Sequence, residues 1–153
     1  MKVYRVENPV EEHGLWRNFD GSPCDVFNKL HVGKCREMPM PDNDFYREGG
    51  KQWFAATDTP EKLREWFDVL DIVQMRHLGY KVYQFEVSNV KTVSEYEVVF
   101  TRDSIQSVIA IDPADIWSEF DLSFIVNTLL MADKKEKVRN LYMPLYEGGK
   151  NDK

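Results

Sequence analysis

The sequence predicts an α+β domain built mostly from antiparallel strands. Three strand-like segments follow one another at residues 80–87, 93–100 and 104–111, and the helical patterns stand apart from them, one before and others after. A content of 42% hydrophobic and 13% aromatic residues in 153 supports one ordinary core. The expected organisation is a single domain over residues 1–147 with a frayed tail over 148–153.

Residues 1–7 alternate weakly and read as a first strand, with Val3 and Arg5 on one face, until Asn8-Pro9 breaks it. Residues 10–50 are dominated by loops. Glu12-His13-Gly14-Leu15-Trp16 and Asn18-Phe19-Asp20-Gly21-Ser22-Pro23 carry aromatic anchors, and residues 24–30 suit one or two helical turns. Met38-Pro39-Met40-Pro41 excludes regular structure, because each proline removes a donor and fixes φ. A loop as long as 33–50 is more often functional than idle. Residues 52–57 form the next strand. Thr59-Pro60-Glu61 is a helix start, with Thr59 as N-cap and Pro60 at the first helical position. Leu63, Trp66, Phe67, Leu70 and Val73 follow at helical spacing, and Gly79 closes the helix. Trp53, Trp66 and Phe67 are expected in the core. The three strands come next. Asp112-Pro113-Ala114-Asp115 opens a short helix carrying Ile116, Trp117 and Phe120. A last helix spans about 121–141, with Leu122, Ile125, Leu129 and Leu130 as its apolar face and residues 134–139 as its charged end.

Composition excludes several functions. A net charge of −6 and a pI of about 5.1 give no broad positive field, which argues against nucleic acid and anionic membranes as partners. The longest apolar runs, such as Leu129-Leu130-Met131-Ala132, fall far short of the ~20 residues that cross a bilayer. The first residues, Met1-Lys2-Val3-Tyr4-Arg5, are strand-like and lack a signal-peptide core, and Cys24 and Cys35 make no disulfide framework. A cytoplasmic location is expected. Cys24, His31 and Cys35 lack a fourth ligand for zinc, and no phosphate-binding glycine loop occurs.

The chemistry concentrates in Ser94-Glu95-Tyr96-Glu97-Val98-Val99-Phe100. Read as one strand, this stretch sets Glu95 and Glu97 side by side on one face, about 6.6 Å apart along it, while Val98-Val99-Phe100 anchors in the core. The alternative is that the two acids form the solvated face of an edge strand.

Tyr4-Arg5 on the first strand, Phe54-Ala55-Ala56-Thr57-Asp58 before a helix, and Glu95-Tyr96-Glu97 on a later strand occur in an order that resembles the ADP-ribosyltransferase family of the arginine–serine–glutamate type. The resemblance implies that family's fold, with antiparallel strands forming a cleft, and NAD as substrate. It implies Arg5 as the phosphate anchor, Thr57 as the middle-motif hydroxyl and Glu97 as the catalytic carboxylate. Glu95 takes the place that selects or activates the acceptor, as in arginine-directed members. Tyr4, Trp53, Phe54 and Tyr96 are offered as stacking partners for nicotinamide or adenine. The middle motif departs from the family's Ser-Thr-Ser, reading Ala56-Thr57-Asp58.

The residue types suit the reaction. Cleaving the bond between nicotinamide and ribose develops positive charge on the sugar, which a fixed carboxylate stabilises. A guanidinium fork matches phosphate oxygens. The expectation is therefore ADP-ribosyl transfer from NAD to a protein acceptor by an intracellular effector of the kind that phages and mobile elements carry. The rival expectation is a non-catalytic binding or inhibitor protein acting through an acidic surface. Convergence of Arg5, Thr57 and Glu97 on one pocket is the geometric test between them.

Overall fold

The computed structural model describes residues 1–10 and 46–133. The readings for the aromatic-anchored loops, the 24–30 turns, Cys24, His31 and Cys35, most of the 33–50 loop, the helix beyond 133 and the tail lie outside the described residues.

The chain divides into two units, Met1–Phe120 and Asp121–Lys153. The first holds two antiparallel sheets. One comprises β1 (Lys2–Glu7), β4 (Lys81–Val87) and β7 (Ile105–Ile111) in the order β1-β4-β7. The other comprises β2 (Tyr46–Glu48), β3 (Lys51–Ala56), β5 (Val90–Ser94) and β6 (Glu97–Thr101) in the order β2-β3-β6-β5. The α+β expectation holds at this level. In the second unit residues 121–133 are helical throughout. Among the described residues no helix is long and apolar enough to cross a membrane.

The sheets pack through one filling. Val3, Phe85 and Val87 from the first meet Phe54, Ala56, Val98 and Phe100 from the second. Phe100 stands 6.2 Å from Phe54 and 5.6 Å from Phe85, ring centre to ring centre. Alternation makes this filling possible, since Phe54 pairs with Phe100 and Ala56 with Val98, sending all four side chains to one face. The sheets also share one isolated antiparallel bridge, Tyr4 with Thr57, whose two backbone hydrogen bonds are 2.8 and 2.9 Å.

Three elements differ from the sequence expectation, the first being β2, since Tyr46–Glu48 at the end of the stretch read as a 33–50 loop pairs with β3. Residues 93–100 are not one strand. The chain reverses at Glu95-Tyr96, so that Ser94 pairs with Glu97, and the register shift between Thr92 and Ser94 accommodates an extra residue on β5. The Tyr96 N–H donates to Ser94 Oγ at 3.3 Å, and Lys62 Nζ donates to the Glu95 carbonyl at 2.6 Å, which together hold the turn. The two glutamates therefore do not share a strand face.

The helix after Thr59 is also broken. A 3-10 turn over Pro60–Lys62 leads into α1 (Leu63–Trp66), and Phe67 then turns extended at φ −136°. Asp68 starts α2 (Val69–His77) with a capping box: the Asp71 N–H donates to Asp68 at 2.9 Å and the Asp68 N–H to Asp71 at 3.2 Å. The break rotates the apolar stripe, leaving Leu70 52% exposed while Ile72, Val73 and Met75 are buried. The Phe67 carbonyl, freed from the helix, accepts Trp117 Nε1 at 3.0 Å. Thr59 makes no side-chain cap, and its carbonyl instead accepts Thr57 Oγ1 at 2.8 Å. Gly79, at φ +88°, ends α2 in the left-handed region, as expected. Trp53, Trp66 and Phe67 are buried, as are Ile116, Trp117 and Phe120 around the 3-10 turn Pro113–Asp115.

Candidate functional site

The bridge between Tyr4 and Thr57 places these two residues directly opposite one another, so their side chains share a face. Ala56 with Val98 is the last rung of the β3–β6 ladder, and just beyond it Thr57 follows Ala56 while Glu97 precedes Val98. Tyr4, Thr57 and Glu97 thus form a row across β1, the end of β3 and the start of β6. Each is buried: Glu97 is 4% exposed and Thr57 is fully enclosed. The Tyr4 hydroxyl donates to Gln84 Oε1 at 3.1 Å. Burial, then the carboxylates of Glu61 and Glu86, raise its pKa, so the phenol stays protonated at neutral pH.

The turn after β3 and the β5–β6 hairpin meet beside this row. Lys62 pairs with Asp58 at 2.8 Å while holding the Glu95 carbonyl, and its Nζ lies 6.0 Å from the centre of the Tyr96 ring. Glu95, at the hairpin turn, is exposed. The row therefore combines a buried carboxylate and a hydroxyl, bordered by one lysine and an exposed acid.

Arg5 and Phe54 lie on the other side, so Arg5 does not converge with Thr57 and Glu97 on one pocket, and the phosphate-anchor place expected for it is not met. Arg5 follows Tyr4 and so faces the opposite way on β1, where it is fully enclosed. Its Nε donates to Glu7 at 2.9 Å and its NH1 to the Ala55 carbonyl at 2.7 Å, and the guanidinium lies 5.4 Å from the centre of the Phe54 ring. Arg102 completes this cluster. It donates to both carboxylate oxygens of Glu7, at 2.8 and 3.3 Å, and lies 4.4 Å from the centre of the same ring. Of the six residues expected at the site, three form the row, two form a separate cluster between the sheets, and Glu95 sits on the hairpin.

Sequence reasoning passed over Glu7 and Arg102. The signal for Glu7 was present, because Val3, Arg5 and Glu7 recur with the period of two that puts them on one strand face. Arg102 carried none, since its meeting with Glu7 joins positions 95 residues apart in the chain. Among the described residues no group of three or more His, Cys, Asp or Glu could hold a metal ion.

A family model described as "Bacteriophage T4 Y00F protein" matches residues 1–114, a span that takes in both sheets, the row and the Arg5 cluster. No curated protein and no solved structure matches the chain.

Proposed function

The chain belongs to the Bacteriophage T4 Y00F protein family, and from that premise we propose a phage-encoded effector that transfers ADP-ribose from NAD to a protein acceptor. The observation that carries this reading is that Thr57 and Glu97 flank the last β3–β6 rung, Ala56 with Val98, at the adjoining ends of the two strands. In the proposed reaction the bond between the ribose anomeric carbon and the nicotinamide nitrogen breaks. Its electron pair leaves with nicotinamide, and the Glu97 carboxylate stabilises the positive charge left on the sugar. An acceptor nitrogen, such as that of an arginine side chain, then bonds to the same carbon and loses a proton, for which the exposed Glu95 is the base. Arg5 enters this reading in a changed role. Its guanidinium is occupied by Glu7 and Ala55, so it braces β1 against β3 beside the Tyr4–Thr57 bridge and is a positioning residue. Lys62, at the rim, is held by Asp58 and the Glu95 carbonyl, so in this reading the pyrophosphate takes the place of Asp58 on it.

The test uses labelled NAD, a host-cell extract as acceptor source, and the Glu97→Gln variant. Transfer by the native chain that falls at least a hundredfold in the variant, with an unchanged melting curve, is the expected result. Equal labelling by both proteins, or none by either, would reject the assignment.

The rival reading, a non-catalytic binding or inhibitor protein, draws support from the same enclosure of Arg5, because the anchor expected for phosphate is turned inward. Calorimetry with millimolar NAD separates the two: absence of heat favours the binding protein.

A further inference from the structure

A cavity of about 370 Å³ opens on the face of the first sheet that carries Arg5, away from the Tyr4–Thr57–Glu97 row. Its size lies at the lower end of the ~300–1,000 Å³ typical of small-molecule pockets. Tyr83 and Phe85 form an aromatic wall, with ring centres 5.8 Å apart, and Phe85 is fixed from behind by Phe100 at 5.6 Å. Ile105 and Val108 supply an aliphatic side. The polar groups are few. Glu7 and Arg102 line the cavity together with the Tyr83 phenol.

These polar groups select by charge. The Glu7 carboxylate, 4% exposed, already accepts from Arg5 and from two nitrogens of Arg102, so it offers little to an incoming cation. Arg102 is more open, and its orientation is set in advance by the Glu7 clamp and by the Phe54 ring 4.4 Å beneath it. A guanidinium held in place has no ordering cost left to meet when an anion arrives. Burial, then the Glu7 charge, raise the Tyr83 pKa, which keeps this phenol a neutral hydrogen-bond donor at pH 7. A flat ring against an aromatic wall, with a negative group directed to a fixed guanidinium, satisfies both halves of the lining.

We propose that this cavity binds a small aromatic carboxylate, its ring against Tyr83 and Phe85 and its carboxylate toward Arg102. The proposal is independent of the transferase reading and needs no NAD.

Benzoate, benzyl alcohol and benzylamine serve as anionic, neutral and cationic probes of equal ring size, titrated into the full chain at neutral pH by calorimetry. Benzoate should bind saturably in the millimolar range, at least tenfold tighter than benzyl alcohol, with no binding of benzylamine. Val108→Trp fills the mouth from a position 54% exposed on the outermost strand, leaves the ion cluster intact, and should abolish benzoate binding. Arg102→Lys keeps the charge but not the fork and should weaken benzoate about tenfold. Absence of saturable benzoate binding to the native chain overturns the proposal. So does equal affinity for benzoate and benzyl alcohol, or undiminished binding to a folded Val108→Trp variant.

Discussion

At position 7 a carboxylate almost entirely withdrawn from solvent accepts from Arg5 at 2.9 Å and from Arg102 at 2.8 Å. Removing one member of such a cluster leaves the others desolvated, which costs more than the cluster adds when complete. Glu7→Gln should therefore destabilise the fold by about 3 kcal/mol in urea titrations. A loss under ~1 kcal/mol would mean that the guanidiniums find other partners at little cost. The same residues show where a sequence stops being informative. That Arg5 is a strand residue with a fixed partner was legible; whether the partner is a ligand phosphate or a glutamate two positions along was not. Residues i and i+2 share a strand face, so an Arg-x-Glu pair can satisfy itself without a ligand. Thr57 and Glu97 are neighbours because the β3–β6 ladder ends at Ala56 and Val98, a relation that no local motif encodes.

α2 owes its start to Asp68 and Asp71, which satisfy each other's backbone N–H groups. Replacing Asp68 with Ala removes one half of that capping box and should cost about 1 kcal/mol, measured as a lower urea midpoint with an unchanged slope. An unaltered midpoint would show that α2 is held by burial of Ile72, Val73 and Met75 alone. Element positions were largely legible: β1, β3, β4 and β7 fall within a residue or so of the segments their alternation predicted. Two joints were hidden. The α1–α2 break sits inside a stripe whose spacing, from Leu63 to Val73, is continuous with one helix, and only the Asp68/Asp71 cap reveals a second start. The β5–β6 turn uses Glu95-Tyr96, without the Gly or Asn that usually marks a two-residue hairpin loop. The paired acids looked like one motif for that reason.

Across the whole molecule, negative charge and the phenols of Tyr4 and Tyr83 act in the same direction at high pH. Tyr4 and Tyr83 both have raised pKa values, chiefly from burial. The folded state holds those protons longer than the unfolded chain, so this contribution to stability is complete below pH 10 and is lost as pH climbs through the raised values. A chain already at −6 also gains charge over that range. The melting temperature should fall steeply above pH 10, and the Tyr83→Phe variant should fall less steeply. Identical slopes for the two proteins would remove Tyr83 from the account. The α+β class was legible at this scale because three strands in succession leave few other arrangements, whereas the facing of the two sheets depended on which side Phe54, Phe85 and Phe100 took.

The Tyr4–Thr57 bridge has a mechanical consequence. Among the described residues it is the one isolated bridge between strands of the two layers, which are otherwise joined by the short β4–β5 and β6–β7 connections, the Arg5 bond to the Ala55 carbonyl and side-chain packing. A ligand that wedged the layers apart at this end would have two backbone hydrogen bonds to sever beside residue 57, next door to Glu97, while the far side stays clamped by Arg5 on the Ala55 carbonyl.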